Sequence, residues 1–524
     1  MTASIDDLLA RRVANPFDAD TAKALAYAHN EAGDYADAAD VALTAEELGA
    51  GEFGEMAVLA ARCTVQAGEL DAATDLLMHA LDQPLRDLAS LRTDPDFAPL
   101  RTDPLVRQVL GIPDGPLDRD AGWQFDLEFF AQEVKRRAPD PFSVVSEDDF
   151  EAAVDALYED IPTLSDAEIL LELARMLVPL RDGHAYVCPA AERTDLLAAL
   201  PLGFYKFDEG FFITHASADY ADLAGSQLLS IDGHSTADVT EALDSIICRD
   251  NQQWPHELIP FRLREPALLH ALGYADLPDQ VVLTVADTNG RERDQLVRAT
   301  MEFPTAPLGR NFPFPADWVT ALDELPVLPL YLRDLRTPFW FEPLPELNAM
   351  YLQINQVRDR DDETLAEFTE RFFPLLTDSG LERLILDLRM NKGGNTTLEW
   401  PFIHRLIEHP VNQRGRLFVV IGRRTFSAAQ NFSTYLDLHT DAIFAGEPTG
   451  SSPSFNGESI EYALPWSDTR VNISDLRWQS SWPWDRRPWI APDLYAPPTF
   501  AAYREGRDVA LEAIERAIAD PIAP

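Results

Sequence analysis

A serine, a pair of glycines and a histidine are the residues whose types and settings could do chemistry. Ser427 stands in "GRRTFSAAQ", directly after the apolar run "RLFVVI" (416–421) and before a stretch that reads as helix. A strand that hands over to a helix at a serine sets its hydroxyl beside backbone N–H groups without intrahelical acceptors. Two readings fit that corner. An ordinary N-cap serine belongs there. So does a nucleophile, whose developing oxyanion needs amide donors at about 2.7–3.1 Å. Gly393 and Gly394, in "DLRMNKGGN", follow the preceding apolar strand and lack side chains that would bar a carbonyl from the backbone. Together with the amide of Ala428 they form a candidate oxyanion hole, reinforced by the positive end of the helix.

A serine nucleophile also needs a base. Among ten histidines, His184 in "RDGHAYV" ends a helical stretch at a D-G turn and leads into a strand reading. Taken alone, each of Ser427 and His184 reads as structural, and only their meeting would make a reactive site. No G-x-S-x-G elbow, Walker A loop, H-E-x-x-H or dinucleotide glycine fingerprint occurs, which disfavours an ordinary α/β-hydrolase and nucleotide chemistry. The histidines show no metal-ligand spacing, so no metal and no cofactor are expected.

The elements that must position these residues change character along the chain. Residues 20–82 read as helix pairs with turn glycines Gly33 and Gly68, whose spacing is close to the period of about 34 of tetratricopeptide repeats. Two such units are fewer than the roughly three a free-standing solenoid needs. They are expected either to cap the neighbouring domain or to dock a partner or a second copy of the chain. "GIPDGPLDRD" (111–120) reads as a linker, and 124–182 as helical again. From about 203 to 300, short strands such as "GFFITHA", "QLLSIDG" and "QVVLTVAD" are separated by turn signals. Beyond them, "AMYLQIN", "RLILDL", "RLFVVI" and "DAIFAG" alternate with helices near 362–376, 398–408 and 427–438. That alternation predicts a largely parallel sheet covered on both faces, with ligands at the carboxyl ends of its strands. Both the glycine loop and Ser427 fall at such ends.

A net charge of −45 repels phosphate backbones and anionic lipid, so neither nucleic acid nor a membrane surface is an expected partner. The first twenty residues are acidic where a signal peptide would be basic and then apolar, and no long uncharged run spans a bilayer. Three widely spaced cysteines without C-x-x-C fit a reducing compartment, and a cytoplasmic location is expected.

The ordered set "DGH", "LILDLRMNKGGN", "GRRTFSAAQNF", "GEPTG" and "PWIAPDLYAPPT" resembles the tail-specific, or C-terminal processing, serine peptidases, over roughly 120–520. The resemblance implies an α/β peptidase core with a largely parallel sheet and a PDZ-like β-rich insert; the helix-pair spacing adds an N-terminal tetratricopeptide-like segment. The expected boundaries are 1–115 for the helical repeats, 120–202 for the helical part of the peptidase domain, 203–305 for the PDZ-like module and 340–520 for the core. The resemblance also implies Ser427 as nucleophile, with Gly393 and Gly394 in the oxyanion hole, acting on a peptide or protein substrate.

One branch of that family carries a general-base lysine 25 positions after the serine; here Ser452 stands there. The only lysine in a motif is Lys392, at a variable position of the glycine loop. The sequence is closer to the tricorn-like and interphotoreceptor-repeat branch, whose histidine matches His184. Its carboxylate lies near Asp485, in "WPWDRRPW". Asp182 is too local to His184 to be the expected partner, and Asp493 reads as a strand-end residue. The serine that precedes the histidine in that branch is here Gly183; Asn456 matches a glutamine position of the lysine-using branch and is expected only to orient its loop. The alternative expectation is a catalytically weak or inactive protein that binds peptides or apolar ligands in the same groove. Trp478, Trp482, Trp484 and Trp489 could wall that groove or pack a long loop.

Overall fold

The computed structural model describes residues 3–51, 54–81, 88–310 and 312–520. Residues 1, 2, 52, 53 and 82–87 of the 1–115 reading lie outside the described residues. The chain divides into two compact units.

The first unit comprises 1–141, 145–163 and 460–475. It opens with helices Ile5–Ala14, Ala19–Ala32, Tyr35–Glu47, Glu55–Gln66 and Leu70–Leu81, each packed on the next. Alanines make the close approach possible: Ala22, Ala26, Ala38, Ala42 and Ala60 are buried together around Met56 and Leu59. Ser4 and Asp18 cap two of the helices through side-chain oxygens, and Gly33 closes one in the left-handed conformation at φ 82°. Further on, the fully buried Asp126 of helix Arg119–Arg137 accepts the amides of Trp466 and Ser467 at 2.8 and 2.9 Å. Burial nevertheless pushes its carboxyl up to about 6.

The second unit holds the rest. One sheet is antiparallel, in the order Leu202–Phe207, Gly210–Ala216, Gln227–Ile231, Gln280–Ala286, Glu292–Arg298. Helices Thr236–Asp244 and Trp254–Arg262 accompany it. The other main sheet runs Phe339–Leu344, Ala349–Ile354, Arg383–Asp387, Leu417–Ile421, Ile443–Gly446, Leu494–Tyr495, each strand beside the next. Only its first strand is antiparallel; the other pairings are parallel.

Successive side chains of a strand point to opposite faces, and both faces here are covered. Leu384, Leu386, Val419 and Ile421 meet helices Leu365–Asp378, Trp400–Glu408 and Ala428–His439 on one face. On the other, Ile385, Phe418, Val420 and Ala445 pack against helix Val509–Ala519. The parallel, doubly covered sheet and its helices therefore stand where the apolar pattern predicted them. Among the described residues no helix is long and apolar enough to cross a membrane.

Candidate active site

Ser427 occupies the N-cap position of helix Ala428–His439, and its side chain makes no cap bond. Its backbone lies at φ 57°, ψ −126°, whereas an N-cap residue has extended angles. The N-cap reading of this serine is thereby overturned. A non-glycine residue held there stores strain of about 1–3 kcal/mol, which the surrounding structure must offset. Part of that support is visible. Strand Leu417–Ile421 is wholly buried, Thr425 donates its hydroxyl to the Leu388 carbonyl at 3.0 Å, and the Phe426 amide donates to the Asn391 carbonyl at 3.2 Å.

The glycine loop meets this corner. A Cβ on Gly393 would lie 2.7 Å from Ser427 Cβ and 2.8 Å from the Ala428 amide nitrogen, so only glycine fits. A Cβ on Gly394 would lie 2.1 Å from the Val357 carbonyl oxygen. The Val357 amide donates to the Gly393 carbonyl at 2.9 Å, and Asn395 returns a bond to the Val357 carbonyl at 2.8 Å. Of the three expected oxyanion donors, one is already engaged: the Gly393 amide donates to the Asn391 side chain at 2.8 Å. The amides of Gly394 and Ala428 have no acceptor among the described residues.

His184 sits on the turn before strand Tyr186–Cys188, 8% exposed. Its Nδ1 lies 3.0 Å from the Asn456 carbonyl oxygen. A carbonyl only accepts, so Nδ1 carries the proton and the neutral ring keeps its lone pair on Nε2. Asp182 accepts the His184 amide at 2.9 Å, and its carboxylate comes to 3.7 Å from Nδ1. The imidazole packs 4.5 Å from the ring of Phe426, the residue before Ser427, and 5.7 Å from Phe455. The fold therefore brings the 184 turn, the 427 corner and the paired glycines together. The Ser427 hydroxyl makes no hydrogen bond to His184 or to any other described residue.

Asp485 is not part of that group. Its carboxylate accepts from Ser481 at 2.6 Å and from Arg487 Nη2 at 2.8 Å, and these donors hold it well below the usual carboxylate range. None of its hydrogen bonds among the described residues goes to His184, and Arg487, two residues away, donates to both its oxygens. Lys392 also turns elsewhere, donating to the Leu308 and Gly309 carbonyls and standing 3.5 Å from Glu257. Burial, aided by Arg424, brings its ammonium down to about 7. Ser452 donates to the Pro488 carbonyl at 3.0 Å, and Asp493 accepts from Arg414 and from the Phe444 amide. Trp482 and Trp484 stack on each other at 5.5 Å but are 56% and 73% exposed, so they do not pack the loop's interior.

Sequence reasoning missed two groups. Asp250 accepts the Gly183 amide, and Trp254 stacks on Phe426; nothing in their local sequence marks either. Arg389 lies between Asp387 and Asp508, bonding both carboxylates and tying the strand end to helix Val509–Ala519. The D-x-R spacing inside "LDLRMN" was a readable signal for half of that arrangement. Two cavities flank these residues. One, mostly apolar, is walled by Ala185–Pro189, directly after His184. The other lies at the carboxyl ends of the core strands, among Tyr205, Phe312, Tyr331, Arg423, Arg424 and Tyr503.

No family model matches the chain, and no curated protein matches it in sequence. Solved structures do match. A structure of mature CPAF complexed with lactacystin aligns with a TM-score of 0.53 at 14% identity, over 76% of this chain and 98% of that one. A serine-to-alanine mutant of CPAF aligns equally, at 0.53 and 14%, over 77% and 99%. The chain shares the fold of CPAF. At 14% identity the likeness to CPAF speaks for fold alone. The photosystem II D1 C-terminal processing protease aligns at a TM-score of 0.37 and 14% identity, over 77% of this chain and 98% of that one, too low to add to the assignment.

Proposed function

We propose that the chain is a serine-type peptidase of the tail-specific kind, hydrolysing peptide bonds through an acyl-enzyme. The observation that carries this reading is the Ser427 corner: a strained, non-capping serine pressed against a glycine that nothing larger can replace. In the reaction, Ser427 Oγ attacks the substrate carbonyl while Nε2 of His184 takes its proton. The Asn456 carbonyl keeps the other ring nitrogen protonated throughout. The oxyanion is received by the amides of Ala428 and Gly394, with Gly393 acting as spacer rather than donor. His184 then protonates the leaving amine, and a water, deprotonated by the same nitrogen, cleaves the ester. Serine and imidazole draw together when substrate binds, since such contacts are often long in free enzymes.

The reading also takes in the histidine-using branch of the family, because Lys392 and Ser452 are both committed elsewhere. It treats the antiparallel sheet as PDZ-like and the N-terminal helices as a repeat that docks a partner or a second copy. Light scattering on the purified chain tests self-association. For the chemistry, a fluorophosphonate should add its mass to Ser427 of the wild type and not to Ser427→Ala. A folded wild-type protein that stays unlabelled retires the peptidase. The resting separation of Ser427 and His184 favours a second reading, a protein that holds peptides in the groove without cutting them. Unlabelled protein that still binds library peptides would establish it.

A further inference from the structure

We propose that Asp250 is the positioning residue behind His184, holding the turn that carries the imidazole and supplying the negative charge that faces it. Its catalytic consequence rests on the peptidase reading; its effect on the imidazole does not.

Asp250 lies between helices Thr236–Asp244 and Trp254–Arg262, in a different part of the chain from the other candidates. One carboxylate oxygen accepts the Gly183 amide at 2.9 Å, and the other accepts the Ser451 hydroxyl at 2.7 Å. Four residues on, Trp254 Nε1 donates to the Gly183 carbonyl at 3.0 Å. One five-residue segment thus holds both backbone polar groups of the residue before His184. The same Trp254 lies flat on Phe426, 3.9 Å away with planes 4° apart, so it also backs the residue before Ser427. Between them, Asn251 anchors the segment through the carbonyls of Thr449 and Pro488, at 3.1 and 2.7 Å.

The charge argument is separate. Asp250 has no arginine or lysine partner among the described residues, whereas Asp387, Glu447 and Glu257 each pair with an arginine. A poorly solvated carboxylate without a cation is costly. Its surroundings push Asp250 up to about 6, against the pull of His184, Ser451 and the Gly183 amide. A proton on His184 is the positive charge within reach that would relieve it. Asp182 comes within 3.7 Å of the ring, and Arg477 donates at 3.4 Å to the side chain of Asn456, whose carbonyl takes Nδ1. Asp182 uses the same oxygen on the His184 amide. Asp250 reaches the turn from outside and takes the amide before it.

The test is an NMR titration of the His184 ring, assigned by its loss in His184→Gln. In Asp250→Asn the side-chain oxygen can still accept from Gly183, so the fold should hold, but the charge is gone. The midpoint should fall by about one pH unit, a tenfold weaker grip on the proton. Ser451→Ala removes a donor that helps the carboxyl ionise, so it leaves less negative charge beside the ring and should move the midpoint the same way, by less. It also serves if Asp250→Asn does not fold. A midpoint unmoved in the variants that fold overturns the proposal whatever the activity. If wild type labels at Ser427, Asp250→Asn should slow labelling about tenfold to a hundredfold, its acid limb moving with the NMR midpoint. Shifted midpoints with no labelling in wild type would sink the peptidase and leave this inference standing.

Discussion

The segment 250–254 and the loop 481–487 each carry an aspartate that could serve His184, and they are built in opposite ways. Asp485 shares its loop with Arg487, is satisfied by that guanidinium and by Ser481, and is held firmly ionised. Asp250 accepts only an amide and a hydroxyl, and its surroundings resist its charge. The tryptophans divide in the same way. Trp254 is fully buried and touches the site, whereas Trp482 and Trp484 face solvent. The difference teaches that a carboxylate's availability depends on who else is donating to it. A charge already neutralised by a neighbour has little left to give a second partner.

Three substitutions would break or sharpen that contrast. Trp254→Ala should have the largest effect, because it removes a fully buried indole, its bond to Gly183 and its stack on Phe426 together. A loss of about 3–5 kcal/mol in urea unfolding is expected. Stability within 1 kcal/mol of wild type would show that the segment is no strut. Gly183→Ala should come next. Its new Cβ would stand 2.8 Å from the Phe426 ring and 3.3 Å from the Asp250 carboxyl carbon. That crowding should cost about 1–3 kcal/mol and slow Ser427 labelling about tenfold or more, measured by thermal melts and timed mass spectrometry. Asp485→Asn should do least, changing labelling by less than about threefold and stability by about 1 kcal/mol or less, as for a loop ion pair. A hundredfold loss of labelling in Asp485→Asn with an intact fold would reverse the comparison.

Much of the core was legible because its signals are local and repeated. "RLILDL", "RLFVVI" and "DAIFAG" are strands where they read as strands, since continuous apolar runs suit a sheet buried on both faces. The glycine loop and the corner serine announced themselves by type and by position at strand ends. Three details were not legible. Gly393 and Gly394 look alike in sequence, yet the Asn391 side chain takes the amide of one and not of the other. The orienting acceptor for His184 is a backbone carbonyl, at Asn456, and backbone atoms leave no mark in sequence. Asp250 lies 66 positions from His184 in a stretch with no motif, so only the folded chain brings it near, through its bond to Gly183 and the packing of Trp254 on Phe426.

The order of apolar runs, turns and glycines by itself determined a doubly covered parallel sheet with a serine at the head of a helix. Those features arise from solvent exclusion and backbone sterics acting over a few residues at a time. Which groups share a proton and which amides stay open was decided only by the folded chain. Such interactions fade within a few ångströms, and separations that small between distant segments exist only after every layer has packed.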